Sequence, residues 1–208
     1  MSAGVLLVGA SGLAREVIAS GMAGIIGILD DDEGLRDTEM GGVTVVGPIA
    51  QAAAREESLL VCVGAGVGRR RIVRRLASAG VRDTRYATFV SDGARIGSTS
   101  VIGAGSIVLD GTVVTADVSI GRHVVIMPNC TITHDDVLED YTTLAAGVAL
   151  AGGVRTRQAA YLGMNAAVRQ GVAVGSAAVI GMGAAVLNDV PDGQTWAGVP
   201  ARRIGGAA

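Results

Sequence analysis

Residues 96–191 repeat themselves every six positions, and that period narrows the possible folds more than anything else in the chain. In steps of six from 96 to 186 the residues read Ile, Ile, Val, Val, Ile, Ile, Ile, Leu, Leu, Leu, Thr, Leu, Val, Val, Ile, Val, so that only Thr156 is not a branched aliphatic. A second series lies four residues after the first: Ser100, Ser106, Thr112, Val118, Val124, Cys130, Asp136, Thr142 and onward to Val190. It is small or β-branched except at Asp136. A helix brings together residues three and four apart and a single strand alternates with period two, so neither explains a period of six. A solenoid does. Three hexads make one coil of a parallel β-helix, and residues 18 positions apart then stack.

The rest of the composition agrees. Half the chain is hydrophobic while aromatics make up 2%, and there are 32 glycines among 208 residues. Thin repeated layers with tight corners suit that balance better than a core of interlocking rings. A net charge of −2 offers no electrostatic footprint for nucleic acid or an anionic membrane. No apolar run reaches the roughly 20 residues of a membrane span, and no basic segment with a cleavage site opens the chain. Cys62 and Cys130 lack CxxC spacing and read as small buried apolar residues, which places the chain in a reducing cytoplasm.

Ahead of the repeat, residues 5–8 read as a strand, Gly9-Ala10-Ser11-Gly12 as a turn, and the residues after it as a helix with Leu13, Ala14, Val17 and Ile18 on its apolar side. Such a turn offers free N–H groups and the positive end of a helix dipole to a phosphate, although Gly9 and Gly12 serve equally well to pack a helix on a sheet. A second strand over residues 25–29 ends in Asp30, Asp31 and Asp32. Carboxylates at that place in a βαβ unit can accept hydrogen bonds from a ribose or a base; Asp32 reads as part of a solvated turn. Strands at 43–46 and 59–63 follow, then Gly64-Ala65-Gly66 opening a helix that carries Arg69, Arg70, Arg71, Arg74 and Arg75. These arginines read as a solvated face, with one near the helix start in reach of a phosphate. Residues 1–85 therefore form a small Rossmann-like α/β domain, and residues 86–208 a solenoid with a C-terminal cap in which Trp196 covers the open end.

The chain has two histidines. His123 follows Arg122 at a hexad corner and reads as exposed and idle. His134 lies in Thr133-His134-Asp135-Asp136, where the repeat gives up its usual glycine and small residues. A repeat is most informative where it breaks its own rule. A histidine oriented by a carboxylate is the minimal general base, because the carboxylate fixes the tautomer and stabilises the imidazolium that forms. Stacking by 18 puts Gly152 and Gln170 on the line of His134. Ala146, Met164 and Met182 follow a second line, where small or flexible apolar residues leave room for an extended ligand or a neighbouring subunit.

The hexads, the Gly9-Ala-Ser-Gly-Leu-Ala-Arg-Glu-Val opening, Leu29-Asp30-Asp31, the His-Asp pair and the closing Asp189-Val-Pro-Asp-Gly and Ala197-Gly-Val-Pro-Ala201 segments resemble the bacterial sugar acyltransferases of the sialic-acid O-acetyltransferase type. That group includes the nucleotide-sugar N-acetyltransferases of bacillosamine and perosamine synthesis. The resemblance implies a left-handed β-helix and a homotrimer that holds acetyl-CoA between neighbouring solenoids. It also implies transfer of an acetyl group to an amino or hydroxyl group of a sugar, with a nucleotide-sugar held partly by the N-terminal domain. It places the catalytic base at His134 and its acidic partner at Asp135, and the coenzyme against Gly152 on one subunit and Met164 and Met182 on the next. The nucleotide falls to Gly9, Ser11 and Gly12, and its base to Asp30 or Asp31. Thr143 stands where members commonly carry a histidine near the acetyl carbonyl, and Leu13 and Ser91-Asp92 replace two further family features. Two other classes compete. A zinc enzyme on the same solenoid needs three histidines between subunits, and two exist. A non-catalytic trimeric nucleotide sensor would ignore CoA.

Overall fold

A computed structural model describes residues 4–206. The N-terminal part is built on β1 (Val5–Val8), β2 (Ile25–Leu29), β3 (Glu39–Met40), β4 (Val43–Gly47) and β5 (Ser58–Val61), in the spatial order β3-β4-β2-β1-β5. All neighbours run parallel except the β3–β4 pair. The helices α1 (Gly12–Ala19) and α2 (Gly66–Ser78) follow β1 and β5. Chain order reverses at β1, between β2 on one side and β5 on the other. The turns after β1 and β5 thus meet at the carboxyl edge of the sheet, where open α/β sheets take ligands. No helix among the described residues is long and apolar enough to cross a membrane.

From Phe89 onward the chain coils as a left-handed parallel β-helix of two-residue strands. Register follows the predicted spacing: Val113 pairs with Thr131, Thr131 with Ala149, and Ala149 with Ala167. Three flat faces result. The first carries Arg95–Ile96 to Ala185–Val186, the second Val101–Ile102 to Ala173–Val174, and the third runs from Phe89–Val90 to the terminal hairpin Gln194–Ala197 and Arg202–Gly206. Branched aliphatics of the six-residue series fill the prism interior, and Trp196 packs against its last coil. Thr156, the exception in that series, is buried with its hydroxyl 3.1 Å from that of Thr142, so the polar intruder finds a polar partner. Each coil turns its corners with a residue in the left-handed region. Asp117, His123, Asn129, Asp135 and Tyr141, with φ between 53° and 64°, hold this position in successive hexads.

The two parts share a core. Leu7, Leu60 and Cys62 of the sheet join Ile107, Leu109 and Val125 of the third face in one apolar cluster. Cys62 and Cys130 are free and buried.

Candidate active site

His134 and Asp135 sit at the corner between the first and second faces, after the strand Thr131–Ile132. Asp135 takes the left-handed position there, with φ 64°, a conformation that aspartate adopts more readily than most residues. Its Oδ2 lies 2.7 Å from His134 Nδ1. The carboxylate holds the proton of the neutral ring on Nδ1 and leaves the Nε2 lone pair free to accept a proton. The same hydrogen bond raises the histidine pKa above its ordinary value by stabilising the imidazolium.

Two features support this corner. Gly152 lies under the ring: a β-carbon there would stand 2.5 Å from Nε2. The Gly152 N–H donates no hydrogen bond among the described residues. Asp136 turns inward and is fully buried, its Oδ2 accepting from Thr133 N at 2.9 Å and its Oδ1 from Val154 N at 2.7 Å. Burial pushes its carboxyl up to about 7, against the pull of those two N–H groups. The charged exception in the small-residue series is thus a brace between coils, and His134 and Asp135 beside it stay exposed. A cleft of about 450 Å³ opens along the first face just N-terminal of this corner, lined in part by Ser98, Thr115 and Ala116.

Met164 and Met182 lie at the corner between the third and first faces, 51% and 78% exposed. The first face separates them from His134, with Thr131, Ala149, Ala167 and Ala185 along it. One chain therefore carries the two halves of the expected coenzyme groove on opposite edges of one face.

Thr143 has other partners. Its hydroxyl donates to Gly64 O at 2.9 Å and accepts from Arg69 Nη2 at 2.9 Å, which places it in the contact between the two parts of the chain. At the carboxyl edge of the sheet, Ser11 caps α1, accepting from Leu13 N and Ala14 N while donating to Cys62 O at 2.6 Å. Gly9 has φ 106°. Ala10 N donates to Asp30 Oδ2 at 2.6 Å and Asp32 N to Asp30 Oδ1, so Asp30 ties the glycine turn to the end of β2. Asp31 accepts from Ile49 N and pairs with Arg75 at 2.7 Å. Gly12 is exposed beside this edge. A small cleft of about 110 Å³ is lined by Asp30, Asp31, Asp32, Val45 and Pro48.

Two expectations are corrected. His123 is fully buried, edge-on to Tyr86 at 4.6 Å between centroids and stacked on Tyr141 at 5.3 Å. Its corner faces the N-terminal part, which the hexad period does not register. Arg69, expected on a solvated helix face, is fully buried. Docking of α2 on the solenoid encloses it, and a buried guanidinium among carbonyls was signalled by nothing in the arginine-rich stretch. Among the described residues no group of histidine, cysteine and acidic side chains could hold a metal ion.

The solenoid and the His-Asp corner define a hexapeptide-repeat acyltransferase. Residues 99–134 match the family described as bacterial transferase hexapeptide (six repeats). No curated protein matches the chain. Among solved structures, PerB from Caulobacter crescentus, in complex with CoA and GDP-perosamine, is 30% identical over 97% of each chain, with a TM-score of 0.87. A GDP-perosamine N-acetyltransferase variant from Caulobacter crescentus, with one histidine changed to alanine, is 29% identical over 97% of each chain, also at 0.87. The acetyltransferase domain of PglB from Neisseria gonorrhoeae FA1090, in complex with acetyl coenzyme A, is 27% identical over 98% of this chain and all of that one, at 0.88. The chain belongs to the nucleotide-sugar N-acetyltransferase family of hexapeptide-repeat enzymes.

Proposed function

We propose that the protein transfers the acetyl group of acetyl-CoA to the amine of a nucleotide-linked amino sugar, with His134 as general base. The observation that carries this reading is the His134–Asp135 pair, 2.7 Å apart, over the unpaired N–H of Gly152. In the reaction the amine nitrogen attacks the thioester carbonyl and gives its proton to His134 Nε2. The tetrahedral oxyanion takes its hydrogen bond from Gly152 N–H, because the proton of the Thr143 hydroxyl is committed to Gly64 O. Collapse breaks the C–S bond, and the proton on His134 passes to the departing thiolate.

The separation of Gly152 from Met164 and Met182 across one face supports a homotrimer, in which the His134 edge of one copy meets the methionine edge of the next. The coenzyme arm lies between them, its apolar part against the exposed methionine thioethers. The nucleotide is held at the carboxyl edge of the N-terminal sheet, by residues 9–12 and the Asp30–Asp31 end of β2. The two free thiols fit a cytoplasmic setting. Replacing His134 by alanine lowers turnover with acetyl-CoA and a nucleotide-linked amino sugar by about two to four orders of magnitude. Wild-type turnover in a folded His134→Ala trimer would overturn the assignment.

A further inference from the structure

Arg69 stands in the first turns of α2, and its five N–H groups make six hydrogen-bond contacts, the three on Nη2 sharing two hydrogens. Two go to the N-terminal part: Nη1 donates to Val63 O at 2.8 Å and to Gly64 O at 2.7 Å. Four go to two stacked coils of the solenoid: Nε donates to His123 O, and Nη2 to Tyr141 O, Thr142 O and Thr143 Oγ1, each at 2.9 Å. Among the described residues no carboxylate neutralises it, and every partner is a carbonyl or a hydroxyl. The contact beside it is close: a β-carbon on Gly66 would run into Tyr141 O. Thr143 closes the cluster by donating to Gly64 O.

The buried packing between the two parts is largely apolar, and apolar packing has no direction; the other polar links, Arg122–Asp83 and Ser20–Asp110, lie at the exposed surface. The guanidinium supplies direction, because its planar fork fixes donors at set angles. Val63 and Gly64 belong to the turn after β5, at the edge of the sheet where ligands bind. Tyr141, Thr142 and Thr143 belong to the coil that follows His134. One side chain thus ties the ligand edge of the nucleotide domain to the coil next to the general base.

We propose that Arg69 is a positioning residue, a clasp that holds the nucleotide domain in register with the solenoid so that a bound nucleotide delivers its sugar amine to His134. This rests on the functional reading above. Binding energy from the nucleotide, remote from the reacting amine, accelerates transfer only while the frame between the two sites is stiff. A slackened frame still binds nucleotide and still carries a working His134.

The test compares two acceptors, a nucleotide-linked amino sugar and the same amino sugar without its nucleotide, in wild type, Arg69→Met and Arg69→Lys. Methionine removes every donor; lysine keeps charge but its three donors cannot span both sets of carbonyls. In the variants kcat/KM for the nucleotide-linked acceptor falls by about 100-fold, chiefly in kcat. The rate with the free amino sugar stays within about twofold, and calorimetric affinities for nucleotide and for CoA are retained. A parallel fall for both acceptors makes Arg69 merely structural and overturns the proposal, as does an unchanged ratio. If Arg69→Met does not fold, Arg69→Lys decides on the same criteria. Failure of the functional reading looks different: wild type itself then shows no transfer, or no preference for the nucleotide-linked acceptor.

Discussion

The imidazole of His134 occupies the space that a β-carbon at Gly152 would need, 2.5 Å from Nε2. Gly152 has no left-handed φ to demand glycine, so steric room for the ring is what a side chain there would remove. Alanine at this position leaves the solenoid intact, because the group that yields is the free end of an exposed side chain. What it displaces is the proposed base, together with access to the Gly152 N–H. Gly152→Ala therefore lowers kcat by roughly 100-fold, the cost of misplacing a reacting group by about 1 Å. Its thermal melting temperature stays near that of wild type, and steady-state kinetics beside a melting curve check both halves.

Asp135 acts on His134 through one hydrogen bond, and its removal has a predictable sign. The carboxylate raises the histidine pKa, so the acid limb of kcat/KM in wild type lies above the ordinary imidazole value. As the proposed base, His134 must be neutral to accept a proton. In Asp135→Asn the imidazolium loses its stabilising charge and the limb moves to lower pH. The amide also holds the tautomer less firmly, and the plateau rate drops by about one to two orders of magnitude. A pH–rate profile of both proteins separates the two effects. A limb that does not move would remove Asp135 from the site.

Asp136 is a brace whose two oxygens each meet an N–H, from Thr133 and Val154. Asn offers one acceptor and one donor, so one of those N–H groups would face an NH2. Asp136→Asn costs about 1–3 kcal/mol as a result. For a chain of this size that corresponds to a drop of roughly 2–12 °C in melting temperature. The rate falls less than in His134→Ala, since the ring itself is retained.

The period of six foretold the solenoid because each coil contacts its neighbours at a fixed offset: Val113, Thr131 and Ala149 pair where spacing alone places them. His134 and Asp135 were legible for the same reason, as departures from an otherwise unbroken rule. Arg69 and His123 were not. Their environment is made by docking two parts whose meeting leaves no local pattern: Arg69 has an ordinary helical address and His123 an ordinary corner. Asp30 shows a subtler limit. Its place at the end of β2 was evident, but the bond to Ala10 N that makes it part of the glycine turn depends on how closely β1 and β2 approach. Thr143 lies on the strand Thr143–Leu144, and its outward side chain meets the N-terminal part because the third face is the one that part covers.

His123 gives the chain a sensitivity to acid. Both ring nitrogens are buried without a hydrogen-bond partner among the described residues. Tyr86 and Tyr141 cover the ring, Arg122 and Arg69 bear on it with positive charge, and Asp140 and Asp83 oppose them. Burial, then the arginines, pushes its pKa down to about 4 from an ordinary value near 6.5. Between those values the unfolded chain binds a proton that the folded chain does not. The stabilisation is complete above about pH 6.5 and is lost as pH falls through about 4, at no more than about 1.4 kcal/mol per pH unit. The raised pKa of Asp136 works the other way, favouring the fold below about pH 7, so the two must be separated by substitution. His123→Phe keeps a ring against Tyr141 and removes the ionisable nitrogens, at a cost of about 1 kcal/mol for a bulky residue at φ 53°. Denaturant melts from pH 7 to 4 then fall less steeply in the variant than in wild type. Equal slopes would mean that the acid response comes from groups other than His123.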